Sequence, residues 1–149
     1  MNNHGLNITY SQAVEADELA IKNLLKSLNG DRTEFNIKRF YVAKDGNTII
    51  GCIRTKIYKD SCFELSSLAV DKNYQHQGIG SKLVYKLLSE ERCRPIFLLT
   101  SADKENFYKK FNFNIIYSIE LPNELKKEYD KIIGLPFAKN LQVIAMTIK

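Results

Sequence analysis

The stretch that most constrains this chain runs from Leu65 to Leu88. An apolar run ends at Val70. A polar loop follows, Gly78 and Gly80 stand one residue apart, and Leu83, Val84, Leu87 and Leu88 then recur at helical spacing. This reads as a strand, a turn and a helix start. Amides in the turn and in the first helical turn have no partner within the helix, and the helix dipole turns its positive end the same way. Glycines let a backbone approach a ligand that a Cβ would hold off. Residues Gln75 to Ser81 therefore form a candidate anion cradle, although a Gly-x-Gly turn is also ordinary strand-to-helix chemistry. Two better-known cradles are excluded by spacing. A dinucleotide fingerprint needs a third glycine where Leu83 stands, and a P-loop needs Gly-Lys-Ser/Thr after a longer loop.

Around this unit the chain alternates strands and helices without repeats, linkers or low-complexity tracts. Leu6 to Tyr10 alternates as a short strand. Ala16 to Leu28 puts Ala20, Ile21, Leu24, Leu25 and Leu28 on one helical face, and Asn29-Gly30 ends that helix. Phe40 to Lys44 and Thr48 to Tyr58 flank an Asp45-Gly46-Asn47 turn as a hairpin, and Cys62 to Val70 is a third strand. Pro95 to Thr100 is continuously apolar, which predicts a strand buried on both faces and parallel to a neighbour. A short helix over Asp103 to Phe111, a strand over Phe113 to Glu120, a helix over Glu124 to Lys131 and a strand over Leu141 to Ile148 complete the order. The expectation is an α/β (α+β) single domain over residues 1–149, with a mixed, mostly antiparallel sheet and flanking helices.

Composition narrows the function classes. A chain of 149 residues can bury one core, and no run is long enough to span a bilayer. Met1 to Gly5 shows no basic-then-apolar leader, so a cytoplasmic protein is expected. Cys52, Cys62 and Cys93 lack metal-ligand spacing and read as reduced thiols; His4 and His76 are too few and too far apart for a metal, so none is expected. The net charge of +5 is spread over scattered lysines with no aromatic-interleaved basic stripe, so no nucleic-acid partner and no membrane partner are expected. An anionic cofactor suits that charge equally well.

Gln75-x-x-Gly78-x-Gly80, preceded by Leu65-x-x-Leu68-Ala69-Val70, resembles the pyrophosphate-binding motif of the GCN5-related N-acetyltransferases (GNAT). Phe107-Tyr108-Lys109-Lys110-Phe111-Asn112-Phe113 resembles that family's Phe-Tyr-x-Lys-x-Gly-Phe segment, with Asn112 in the glycine's place. The resemblance implies a fold whose fourth and fifth strands, here Cys62 to Val70 and Pro95 to Thr100, splay apart to admit the arm of acetyl-CoA. It implies cofactor binding by the backbone of Leu68, Ala69 and Val70 and by Gln75, His76, Gln77, Gly78, Ile79, Gly80 and Ser81. Ser101 stands where many members carry a cofactor-contacting asparagine, and Asn106 is the substitute candidate.

For catalysis the resemblance puts Tyr108 beside the cofactor sulfur as donor to the leaving thiolate. It puts Glu64, eleven residues before Gln75, at the position of a strand glutamate that removes the amine's proton through water. The implied activity is direct acetyl transfer from acetyl-CoA to a primary amine, without a metal. The acceptor implied by Glu64-Leu65-x-x-Leu68-Ala69-Val70, Leu98-Leu99-Thr100, Phe107-Tyr108 and Leu121-Pro122, which look like the acetylglutamate-synthase-like branch, is a small molecule or free amino acid. Alternatives are acetylation of a protein lysine or N-terminus, and a non-catalytic acyl-CoA sensor. The family also implies a homodimer. Cys62 has no paired histidine and reads as a buried structural thiol rather than a nucleophile.

Overall fold

The computed structural model describes residues 7–136 and 140–149. Leu6, the readings of Met1 to Gly5 and His4, and residues 137–139 lie outside the described residues. The elements are β1 (Ile8–Gln12), α1 (Glu18–Ser27), β2 (Phe40–Asp45), β3 (Thr48–Ile57), β4 (Phe63–Val70), α2 (Ile79–Glu90), β5 (Ile96–Ser101), α3 (Glu105–Lys109), β6 (Asn114–Ile116), α4 (Asn123–Ile133) and β7 (Val143–Ile148). The sheet has seven strands in the order β1-β2-β3-β4-β5-β7-β6. The chain divides into two compact units, Met1–Thr55 with Ser66–Arg92, and Lys56–Leu65 with Cys93–Lys149. Strands β3 and β4 run through both.

In the first unit β1 pairs antiparallel with β2 from Ile8↔Asp45 to Gln12↔Tyr41, and β2 pairs antiparallel with β3. Gly46, at φ +60°, takes the first central position of the two-residue turn that joins β2 to β3, a place where a Cβ would be strained. Ile21, Leu24 and Leu25 of α1 pack on Phe40, Val42, Cys52 and Ala69. A Cβ on the neighbouring Gly51 would sit 2.9 Å from Leu83 Cδ1 of α2. Successive strand residues face opposite sides, so α1 and α2 cover the two faces of this part of the sheet. The expected apolar face of α1 holds at Ile21, Leu24 and Leu25. Ala20 is exposed instead, because at about 100° per residue it falls at the edge of the stripe made by Ile21, Leu24, Leu25 and Leu28. Asn29 ends it at φ +55°, with the Gly30 amide donating to Leu25 O at 2.8 Å.

In the second unit a parallel ladder joins Phe63 to Ile96 and Glu64 to Phe97. Strand β5 is parallel to β4, as its unbroken apolar run predicts, and antiparallel to β7 from Ile96↔Ile148 to Ser101↔Val143. Cys62, Phe97, Leu121, Leu125 and Ala145 form the core under α4. The strand expected over Phe113 to Glu120 stops at Ile116. The Glu120 carboxylate takes the Tyr117 amide at 2.7 Å, and the Leu121 amide donates to Ser118 O. A tight turn replaces the ladder, leaving Tyr117 and Ile119 exposed.

Candidate functional site

Each unit carries part of the predicted site. In the first, β4 delivers Leu68, Ala69 and Val70 to the loop. Asp71 accepts from the Asn73 amide and starts a short turn over Lys72–Tyr74; Tyr74 Oη donates to Asp45 at 2.8 Å and ties the loop to the β2–β3 hairpin. Gln75 is exposed, and its Nε2 donates to Val70 O at 2.9 Å, so this side chain braces the loop. His76 (φ +64°) and Gly78 (φ +82°) both lie in the left-handed region, which reverses the chain into α2.

No side chain caps α2. The first helical bond runs from the Lys82 amide to Gly78 O, so the amides of Ile79, Gly80 and Ser81 precede it without an intrahelical acceptor. A Cβ placed on Gly78 would meet nothing within 4 Å. The cradle therefore opens outward, built from backbone and backed by the helix dipole. His76 and Gln77 are exposed, whereas the Ile79 side chain is buried and anchors the helix start.

In the second unit Tyr108 sits on α3 at 7% exposure. Its ring meets Phe107 and Phe113 edge-on at 4.9 and 6.0 Å. Asn112 takes φ +70° behind the helix, and the Asn112 and Phe113 amides close back onto Lys109 O and Tyr108 O. Asn112 thus takes the left-handed helix ending that asparagine, after glycine, adopts most readily. Burial pushes the Tyr108 phenol up to about 12.

Glu64 on β4 is buried, and Tyr58 Oη donates to its Oε1 at 2.6 Å. The Tyr58 ring in turn lies 5.5 Å from the buried Lys56 Nζ. Sequence reasoning missed Tyr58; the signal was a lysine and a phenol two residues apart, Lys56 and Tyr58, at the end of β3 and just beyond it. Ser101 ends β5 and gives its hydroxyl to Asp103, and that bond holds the Asp103 carboxyl below its ordinary range. Asn106 is exposed on α3. Cys62 is buried, and burial pushes its thiol up to about 12, which leaves no thiolate for nucleophilic work near neutrality. An open cleft of about 420 Å³ has Cys62, Phe63, Arg94, Phe97 and Pro122 in its wall. Neither Glu64 nor Tyr108 lines it, and apolar size alone does not make it the reactive place.

A mixed sheet with a parallel β4–β5 pairing, flanked by helices and carrying a strand-loop-helix unit, defines the class as an acetyltransferase-like α/β fold. Residues 36–115 match the acetyltransferase (GNAT) domain family, and the chain belongs to that family. An uncharacterized N-acetyltransferase of Chlorobaculum tepidum is 33% identical over 97 residues, 63% of this chain and 56% of that protein. The chain thus spans just over half the length of this curated relative. Among solved structures, N-acetylglutamate synthase from Neisseria gonorrhoeae, complexed with coenzyme A and N-acetyl-glutamate, is similar with a TM-score of 0.74 and 19% identity, over 95% of this chain and 35% of that one. A Mycobacterium tuberculosis protein in complex with CoA has a TM-score of 0.72 and 22% identity, over 94% and 98%. An Arabidopsis thaliana protein bound to the bisubstrate analogue CoA-Ac-MVNAL has a TM-score of 0.64 and 18% identity, over 95% and 98%. These structures share the fold. Among the described residues no helix is long and apolar enough to cross a membrane, and no group of three or more His, Cys, Asp or Glu could hold a metal ion.

Proposed function

We propose that the protein transfers an acetyl group from acetyl-CoA directly to a primary amine of a small, amino-acid-like acceptor. The observation that carries this reading is the uncapped start of α2, where three amides without an intrahelical acceptor follow a left-handed Gly78. A pyrophosphate fits that donor set: it needs several N–H groups, positive potential and no intervening Cβ. Residues 68–70 add a second support. The β4–β5 ladder ends at Glu64↔Phe97 while β4 continues to Val70, so its backbone can pair with an extended ligand arm.

Acetyl-CoA supplies the acyl group as a thioester. The strand and loop hold it in line with the amine, which removes much of the entropic barrier. Glu64 takes the ammonium proton through water, its carboxylate held in orientation by Tyr58. Tyr108 serves the sulfur end. A phenol at about 12 surrenders its proton reluctantly to a thiolate whose ordinary pKa is about 8.5, so its main service is a hydrogen bond to the developing negative charge. Ser101 and Asn106 are the further candidate cofactor contacts, with the Ser101 hydroxyl already given to Asp103. The three free thiols suit a reducing, cytoplasmic setting. Sequence likeness to the acetylglutamate-synthase-like branch supports the acceptor class.

The test is thiol release from acetyl-CoA across free amino acids, polyamines, aminoglycosides and lysine peptides, with Glu64→Gln beside the parent. Release with free amino acids, lowered about a hundredfold in Glu64→Gln, is the expected result. Turnover of peptides alone would replace the acceptor class. Binding of coenzyme A without release would make the protein a sensor, and absence of binding would overturn the reading of the loop.

A further inference from the structure

Arg54, in the middle of β3, is the bulkiest of the fully buried side chains, at 1% exposure. Its Nε donates to Ser67 Oγ at 2.9 Å, Nη1 to Glu34 O at 3.3 Å and Nη2 to Asp31 O at 3.3 Å. The Asp31 carboxylate lies 3.3 Å from Nη2, and the Phe40 ring centroid lies 5.3 Å away. The receiving groups are themselves tied together. Ser67 Oγ donates to Asp31 O at 2.7 Å, and Ser66 Oγ donates to Asp31 Oδ2. Asp31 Oδ1 takes both the amide and the hydroxyl of Thr33, which folds residues 31–34 onto themselves. Cys52 Sγ donates to Ser67 O from below.

A buried guanidinium is a poor way to stabilise a core, since its desolvation offsets most of its attraction to a carboxylate. A hydrocarbon of equal volume would fill the space. What only the planar fork does is hold two separate segments at once. One is residues 31–34, just beyond α1. The other is the bend in β4 at Ser67, a non-glycine residue kept at φ +58° inside a strand. Such a conformation persists only where its surroundings over-determine it. Ser67 directly precedes Leu68, Ala69 and Val70, so the bend sets where their amides and carbonyls face.

We propose that Arg54 is a positioning residue that couples residues 31–34 to the cofactor strand edge at 68–70. Filling that edge steadies the 31–34 segment, and loosening the segment weakens the edge, because the coupling is reciprocal. This rests on the reading of residues 68–70 as the acetyl-CoA strand.

The experiment is amide hydrogen exchange of the full chain with and without saturating coenzyme A, together with the coenzyme A Kd, for the parent, Ser67→Ala, Asp31→Asn and Arg54→Met. In the parent, coenzyme A slows exchange at residues 31–36 as well as at 66–81. In Ser67→Ala and Asp31→Asn, protection at 66–81 remains, protection at 31–36 disappears, and Kd rises roughly fivefold, the worth of one hydrogen bond. Arg54→Met moves both readouts further; should it fail to fold, the two milder variants carry the test. A merely structural role would speed exchange at 31–36 without moving Kd, and that result overturns the coupling. So does a parent in which coenzyme A protects 66–81 alone. A parent that coenzyme A protects nowhere overturns the cofactor reading itself, and the coupling falls with it.

Discussion

The two units meet two different demands of the proposed chemistry, and they do so with different atoms. In the first, the candidate groups for an anion are backbone amides at the start of α2, uncapped by any side chain, with the neighbouring side chains turned to bracing (Gln75) or to the core (Ile79). In the second, the candidate groups for the reacting atoms are the side chains of Glu64, for a proton, and Tyr108, for a hydrogen bond to developing charge, both buried, with environments set by Tyr58 and by the aromatic cluster of α3. Backbone recognition tolerates side-chain change and fails when φ is disturbed. Side-chain chemistry tolerates neither a lost oxygen nor a changed environment.

The largest effect should come from the second unit. Tyr108→Phe removes one donor to a developing charge, so kcat should fall about ten- to a hundredfold with the KM for acetyl-CoA little changed. Initial rates across pH sharpen this. A hydrogen-bond donor leaves the profile's shape alone, whereas a true acid would remove its alkaline limb when deleted. Loss of that limb in the variant would return Tyr108 to proton delivery.

Next comes the first unit's backbone. Gly78→Val forces a β-branched residue to φ +82°, a strain of about 1–3 kcal/mol. Since the Cβ would meet open space, the penalty is conformational rather than a clash. The coenzyme A Kd should rise at least about tenfold while kcat at saturation holds. A drop in kcat at unchanged Kd would contradict the assignment of binding to this loop.

A smaller, graded effect separates the units by pH. Burial pushes the Cys52 thiol in the first unit from 9.0 to about 12, and the Tyr108 phenol in the second from 10.0 to about 12. Unfolded, each group releases its proton at the lower value; folded, each holds it to the higher. The stabilisation is therefore complete below pH 9 and is lost as pH rises towards 12, with a slope of at most about 1.4 kcal/mol per pH unit for each group. Thermal unfolding followed through that window should show Tm falling more gently in Cys52→Ala and in Tyr108→Phe. An unchanged slope in either would mean that the group is not buried as described.

The same contrast explains what could be read in advance. The strand-loop-helix of β4 and α2 was legible because Gly78, Gly80 and the recurring leucines act locally. Asn112 was legible as a left-handed helix ending for the same reason. The parallel pairing of β5 followed from its unbroken apolar run. Tyr58 beside Glu64, and Arg54 reaching Asp31, Glu34 and Ser67, depend on register between strands and on where a loop returns, which no local pattern encodes. The false strand at Tyr117 to Glu120 looked right by alternation; one carboxylate capturing an amide outcompeted the ladder.

The finest cut lies within the loop. His76 sits at φ +64° with its imidazole exposed, so it is either a phosphate contact or a bystander in a strained position. If amides alone hold the anion, His76→Gly should leave the coenzyme A Kd within about twofold. Glycine relieves the left-handed strain and adds chain entropy, two terms of similar size. His76→Ala removes the same ring while keeping the strain. Binding weakened equally in both variants would assign the ring to the phosphate and blur the division between backbone and side chain. Binding weakened in neither would leave the anion to the helix start alone.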